Sequence, residues 1–389
     1  MSSKEKNNAQ PARTEKEKGF LRRLPSLLLV LAVVLAVVVL TTMEDGRHFA
    51  SLRRWLMYGE SSAARDVYTY AADPNNRYGR LGTSLLVANL NTAQLIGEDG
   101  AIVYEQVLNM TSPQLSVGTR QASVCAVGGD TLYILDQNGT RRTMKTERGL
   151  CYYGARLNSS DYLAVTEQKS GYKASVSVYN SAGDLVFHFD SYDSYLSDAI
   201  VTEDCRSVVM VSLDADSGAF ASRLMVYDLA TAEPTGSVPI RDGLVLDLAS
   251  RGDRVLSLCD KRFAMTSLGG ETVLDRAYGN LYLHDYALTG GDFCALLLGR
   301  YQAGNICTLT TYGLDGQEVA SLELTEEVLD MSAAGDRLAV LYGDSVAVYD
   351  RELVELTRLE GTGYAGQVQM GTDGTVLLIS GTTAWRFLP

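Results

Sequence analysis

From about residue 76 onward the chain is strand after strand. Apolar runs of five to eight residues, rich in Val, Leu, Tyr and Thr and often alternating, are separated by turn residues. No stretch keeps a 3.6-residue period over helical length, so this part reads as all-β. The runs also recur. Gly252-Asp-Arg-Val-Leu-Ser-Leu-Cys259, Gly291-Asp-Phe-Cys-Ala-Leu-Leu-Leu298 and Gly335-Asp-Arg-Leu-Ala-Val-Leu-Tyr342 are each a Gly-Asp turn feeding an apolar strand, and Asp373-Gly-Thr-Val-Leu-Leu-Ile379 is a looser copy. A second recurring feature is a strand that ends in an aromatic residue or Leu followed by Asp or Asn: Leu135-Asp136, Tyr179-Asn180, Tyr227-Asp228 and Tyr349-Asp350. In a four-stranded unit this is where the third strand turns into the fourth.

Together these marks place unit openings near residues 76, 113, 150, 195, 244, 281, 328 and 365. The mean period is about 41 residues, the length of one blade of a β-propeller. The chain therefore reads as eight four-stranded blades, with seven as the alternative. A stack of β-sandwiches would need a period near 90–100 residues, which is not seen. The last unit shows only three strands, 367–370, 375–380 and 383–387, and the run Asp66-Val-Tyr-Thr-Tyr70 is the candidate for the fourth. Such a closure joins the two ends of the array and removes an open sheet edge. The glycine-rich, proline-poor composition (36 Gly, 7 Pro) suits many tight hairpins.

The N-terminal part is different. Residues 24–43 carry no charge, and Leu27 to Leu40 is wholly apolar. Twenty helical residues span roughly 30 Å, a bilayer hydrocarbon core. Thr41-Thr-Met-Glu-Asp45 offers no small-residue cleavage pattern, so an uncleaved transmembrane helix is expected rather than a signal peptide. Residues 1–23 form a basic tail expected to be disordered, with seven Lys/Arg against three Glu. Arg13, Lys16, Lys18, Arg22 and Arg23 outweigh Arg47, Arg53 and Arg54, which puts the tail in the cytoplasm and residues 66–389 outside it. Residues 44–65 are a linker. Within it, 46–58 has helical spacing of Phe49, Leu52 and Leu56, and reads equally as an interfacial amphipathic helix or as a helix packed on the propeller.

The chain's net charge of −13 conceals +4 on residues 1–23 and −17 beyond residue 43. So acidic a domain is unsuited to nucleic acid. The six cysteines make no CxxC pair and have no His beside them, which argues against a zinc or redox motif. A hairpin centred between Arg300 and Tyr301 would set Cys294 opposite Cys307. Two buried free thiols are the default and a bridge the alternative, since one residue of slip sends the side chains to opposite faces. His48, His188 and His284 are scattered, and no nucleophile elbow, P-loop or dinucleotide motif occurs. Asp214-Ala-Asp-Ser-Gly218 starts like a calcium loop but lacks the later ligands, so a hairpin turn is expected. Arg251-Gly-Asp253 spells an adhesion tripeptide, yet belongs to the recurring Gly-Asp turn. No catalytic, cofactor-binding or metal-binding residue is assigned, and no cofactor is expected.

The stretches Asn91-Thr-Ala-Gln-Leu-Ile96, Ser170-Gly-Tyr-Lys-Ala-Ser-Val-Ser-Val-Tyr-Asn180 and Tyr195-Leu-Ser-Asp-Ala-Ile200 resemble an uncharacterised family of Gram-positive bacterial proteins with one N-terminal transmembrane helix and a propeller-like domain. More distantly the layout resembles quinoprotein-like and outer-membrane-assembly propellers. The family resemblance implies the fold and the anchor but no chemistry. A quinoprotein-like enzyme would need a stacking Trp and a calcium site, and the propeller's only Trp is Trp385. The expected function is a membrane-tethered, non-enzymatic interaction or scaffolding module for envelope proteins. The alternative is a ligand sensor or quinoprotein-like enzyme that uses the central channel. Polar side chains at the channel mouth would favour the sensor, and an aromatic-rich apolar patch would favour the scaffold.

Overall fold

Turn chemistry sets the hairpins from which the fold is assembled. In the computed structural model, Arg251 pairs with Arg254 across Gly252-Asp253, and Ala334 pairs with Arg337 across Gly335-Asp336. Gly252 and Gly335 take φ of 54° and 59°, the positive value that a two-residue hairpin needs and that glycine reaches without a Cβ clash. The Asp or Asn that ends a third strand caps the next turn. Asp350 Oδ1 accepts from Val354 N at 2.8 Å, Asp228 Oδ1 from Thr231 N at 2.8 Å, and Asn180 Oδ1 from Asp184 N at 2.9 Å.

The structure describes residues 67–216, 219–240 and 243–389. The expected tail, transmembrane helix and juxtamembrane segment, and His48 with them, lie outside the described residues. Among the described residues no helix is long and apolar enough to cross a membrane.

Eight four-stranded antiparallel sheets follow one another. Their first strands begin at residues 77, 113, 152, 195, 245, 282, 328 and 367, within two residues of the openings read from the repeat. Blades 1 to 7 span 77–107, 113–145, 152–191, 195–240, 245–277, 282–324 and 328–360. Blade 8 takes Gln367–Met370, Val376–Ile379 and Thr383–Phe387 from the C-terminus and Val67–Thr69 from the N-terminal side. Val67 stands opposite Trp385 and Thr69 opposite Thr383, so the expected closure is present and the count is eight.

The core is divided in the same way. Eight apolar clusters each join two neighbouring blades, and the cluster of Tyr68, Tyr70, Leu85, Val87, Leu377 and Ile379 seals blade 8 to blade 1. Middle strands are buried on both faces, as in Phe293–Gly299, whereas fourth strands such as Ile102–Val107 alternate toward solvent. First strands of most neighbouring blades contact each other around the central channel. Antiparallel pairing puts the start of each first strand, the loop between second and third strands, and the end of each fourth strand on one side of the disc. We term this side the entry face.

Register overturns the alternative of a Cys294–Cys307 bridge and leaves the default of two buried free thiols standing. Cys294 stands opposite Tyr312 and Cys307 opposite Gly299, so the hairpin is centred two to three residues beyond the expected point. The two cysteines are five positions apart along the sheet, roughly 16 Å, and point into different interblade clusters. Both are free thiols. The loop 300–306 is longer than a tight turn, which is what moved the centre.

Candidate functional site

A shared irregularity builds the channel wall. In blades 3 to 7 the second or third residue of the first strand bulges out of register: Tyr153, Ser197, Leu246, His284 and Leu329 are skipped in pairing with the second strand. A bulge re-aims the residues beside it and frees a backbone amide. The next residue is Gly154 in blade 3 and then Asp198, Asp247, Asp285 and Asp330 in blades 4 to 7. The carboxylates bind the freed amides: Asp198 Oδ1 accepts from Ala199 N at 2.9 Å, Asp247 Oδ1 from Leu248 N at 2.8 Å, and Asp285 Oδ1 from Tyr286 N at 2.8 Å. Asp330 Oδ2 reaches into blade 8 and accepts from Val368 N at 2.7 Å.

Arg156 of blade 3 crosses in front of blade 4. Its Nη1 lies 2.8 Å from both Asp198 Oδ2 and Asp247 Oδ1, and its Nη2 donates to Leu248 O at 2.8 Å. The two carboxylates hold the Arg156 guanidinium firmly cationic against its burial. Burial raises the Asp198 carboxyl, and Arg156 only partly offsets it. Tyr286 of blade 6 is raised to about 12 by burial and by the nearby Asp247. Asp285 has no such cation. Its carboxyl is raised to about 7 by burial, with Asp330 adding to the rise, and its Oδ2 is buried without a hydrogen-bond partner. The channel is thus polar at depth and acidic on the side of blades 4 to 7.

The mouth above it adds exposed aromatic side chains. The exposed tyrosines Tyr192, Tyr195, Tyr282, Tyr301 and Tyr364 all lie on the entry face, in first-strand starts or in its loops, as do Leu246, Ile306 and Leu329. Tyr192 stacks on Tyr172 with centroids 4.3 Å apart, and Tyr364 on Trp385 at 4.2 Å. Lys173 sits 5.2 Å over the Tyr195 ring. On the opposite side, the exposed apolar residues Ile102, Val103, Leu185, Val186, Val354 and Leu356 are aliphatic and sit at the turns into fourth strands or in their first two residues.

The residues considered in the sequence are not brought together. His188 is on the fourth strand of blade 3, 3.0 Å from Asp190, and His284 is in the blade 6 bulge, its Nε2 2.8 Å from Tyr301 O. No group of three His, Cys, Asp or Glu among the described residues is placed to hold a metal ion. Asp214 and Asp216 lie in a long hairpin whose strands run 207–216 and 219–228. The turn Arg251-Gly-Asp253 is tied to the preceding blade: Glu203 bonds Arg251 Nη1 at 2.9 Å and Gly252 N at 2.8 Å. The four channel aspartates and Arg156 were not singled out in the sequence. Their signal was present, however, as Leu196-Ser-Asp, Val245-Leu-Asp, Leu283-His-Asp and Val328-Leu-Asp, an apolar residue two before an Asp at each of four blade openings.

Residues 60–237 match the model of a family of unknown function (DUF5711). That match agrees with the resemblance read from the sequence to an uncharacterised family and brings no activity with it. No curated protein matches the chain. Among solved structures, BamB from Moraxella catarrhalis is similar with a TM-score of 0.53 and 12% identity, over 84% of this chain and 99% of that one. The computationally designed Ika8 protein gives 0.58 and 12%, over 85% and 98%. The C-terminal WD40 domain of Sif2 gives 0.55 and 14%, over 84% and 96%. At such identities the likeness establishes the propeller and nothing finer.

Proposed function

We propose that this propeller is a non-enzymatic interaction module, tethered outside the cytoplasm by the apolar segment 24–43, that holds envelope proteins on its entry face. The observation that carries this reading is the confinement of the five exposed tyrosines among the described residues, with Leu246, Ile306 and Leu329, to that one face. Scattered apolar residues are ordinary on a surface, but a one-sided aromatic set around a polar centre is the composition of a protein interface. Eight loops and eight strand starts converge there, so one partner can be gripped at several points.

The test is site-specific photo-crosslinking in cells. A crosslinking residue at Tyr282 is expected to give a discrete adduct with an envelope protein, and one at Leu185 none. Co-purification of that protein from solubilised membranes is expected to fail for the double variant Leu246→Asp, Leu329→Asp. An adduct from Leu185 alone, or undiminished co-purification by the double variant, refutes the assignment of the face.

A further inference from the structure

Between blades 6 and 7 the entry face opens into a cleft of about 220 Å³. It exists because of two local departures from the blade pattern. The first is the loop 300–306, longer than a tight turn. The second is the bulge that turns His284 toward that loop, where its Nε2 meets Tyr301 O at 2.8 Å. Gly299 makes room for the imidazole, since a Cβ there would collide with His284 Nε2 and stand 3.1 Å from Cys307 Sγ.

The lining has a definite chemistry. Gln302 and Asn305 present side-chain amides, each with donors and an acceptor, and Glu327 presents an acceptor-only carboxylate. Leu297, Cys307 and Val328 supply apolar floor. Burial raises the Cys307 thiol, which keeps it protonated and chemically quiet. Tyr301, 70% exposed, precedes Gln302 in the loop and its carbonyl oxygen meets the lining His284, while Tyr282, 49% exposed, stands opposite Gly299 in register. Planar amides and a carboxylate that can each bridge neighbouring hydroxyls, next to a free aromatic face, are complementary to a pyranose: hydroxyls at the edge, apolar C–H groups on the ring face. The volume is below the ~300–1,000 Å³ of drug-sized pockets, which suits one sugar ring rather than an extended chain. Glu327 and the strongly acidic domain around it disfavour an acidic sugar.

We propose that this cleft is a saccharide subsite that takes one neutral or amino sugar residue, with Tyr301 as the stacking platform and Gln302, Asn305 and Glu327 as hydroxyl or amine partners. It does not depend on the protein-docking reading of the face. The experiment titrates the full-length chain in detergent solution with glucose, N-acetylglucosamine, glucosamine and glucuronic acid, followed by calorimetry and tyrosine fluorescence. Saturable, millimolar-range binding of at least one of the first three is expected, with glucuronic acid weaker. Tyr301→Ala and Glu327→Gln should each weaken it by about tenfold, while Tyr364→Ala, an exposed tyrosine of the same face away from the cleft, should not. Tyr301 and Glu327 are solvent-exposed, so melting temperatures of their variants should match the parent and certify folding. Absence of saturation by the first three sugars, affinity unchanged in both cleft variants, or glucuronic acid as the tightest ligand overturns the proposal. A protein partner still captured in those cases leaves the docking reading standing.

Discussion

Replacing Tyr68 with alanine tests the closure of the ring at its narrowest point. Among the described residues of the N-terminal side, Val67–Thr69 pair with Thr383–Phe387 of blade 8. Tyr68 is 2% exposed and packs in the cluster that joins blades 8 and 1. Its hydroxyl accepts from Arg386 Nη2, and its ring lies 5.9 Å from that guanidinium. Arg386 is itself 4% exposed, with Glu98 of blade 1 3.6 Å away. Truncation therefore leaves a cavity and weakens the support of a buried cation. A buried aromatic cut to alanine costs about 3–5 kcal/mol, and the weakened arginine adds to it without simple additivity. For a domain of this size each kcal/mol moves Tm by roughly 1–2 °C, so a fall of about 4–8 °C is expected by circular dichroism. Tyr68→Phe keeps the ring and loses only the hydroxyl, so its cost should be ~1.5–3 kcal/mol. The alanine variant should also aggregate on warming, because the edge of Thr383–Phe387 becomes available for pairing. An unchanged Tm for Tyr68→Ala would refute the closure by this strand.

Three further outcomes are expected. Asp285 has a folded-state pKa of about 7, above its unfolded value, so the stability it contributes is full below pH ~4 and lost as pH rises through 7, up to about 4 kcal/mol in all. Asp285→Asn should flatten that part of the Tm–pH curve and stabilise the protein at pH 8, and parallel curves for the two proteins would contradict it. Cys294, fully buried with its thiol raised to about 12 by burial, should resist alkylation in the native state. It should react together with Cys307 in denaturant without reductant, and recovery of a Cys294–Cys307 linked peptide would be the contrary result. Protease added to intact protoplasts should digest residues 66–389, and protection until lysis would reverse the proposed orientation.

Much of the fold was legible because a propeller repeats its turn chemistry. The Gly-Asp turn recurs at Gly252 and Gly335, where a two-residue hairpin needs positive φ, whereas its copy Gly291-Asp292 ends the longer connection 288–292 without positive φ; the Tyr-Asp or Tyr-Asn step recurs where a carboxyl or amide oxygen caps the next turn. Each mark fixed one end of a hairpin, and two marks per repeat fixed the blade. The register across 294–307 was not legible, because loop 300–306 lacks the turn signature that centres a short hairpin, and one displaced residue changes which face a side chain takes. The channel was missed for another reason. Arg156 joins Asp198 and Asp247 across 42 and 91 residues of chain, and no local pattern announces which first-strand residues will meet in a closed ring.

The aspartates nonetheless follow from the geometry of the ring. A first strand that lines the channel has no further strand on its inner edge, so a bulge there leaves an amide with no ladder partner. A short acidic side chain at the next position satisfies it locally, which explains why the Asp follows the bulge in four successive blades. Four carboxylates in one wall then repel each other, and blade 3 supplies the relief: with Gly154 in place of a fifth Asp, Arg156 reaches the carboxylates of blades 4 and 5. Its reach ends there. Asp285 and Asp330 must therefore lower their cost through backbone amides and, for Asp285, through retention of a proton near neutral pH. Asp285, with no cation at hand and one carboxylate oxygen buried without a partner, is therefore the least compensated of the four, and it sits under blade 6 beneath the mouth residue Tyr282.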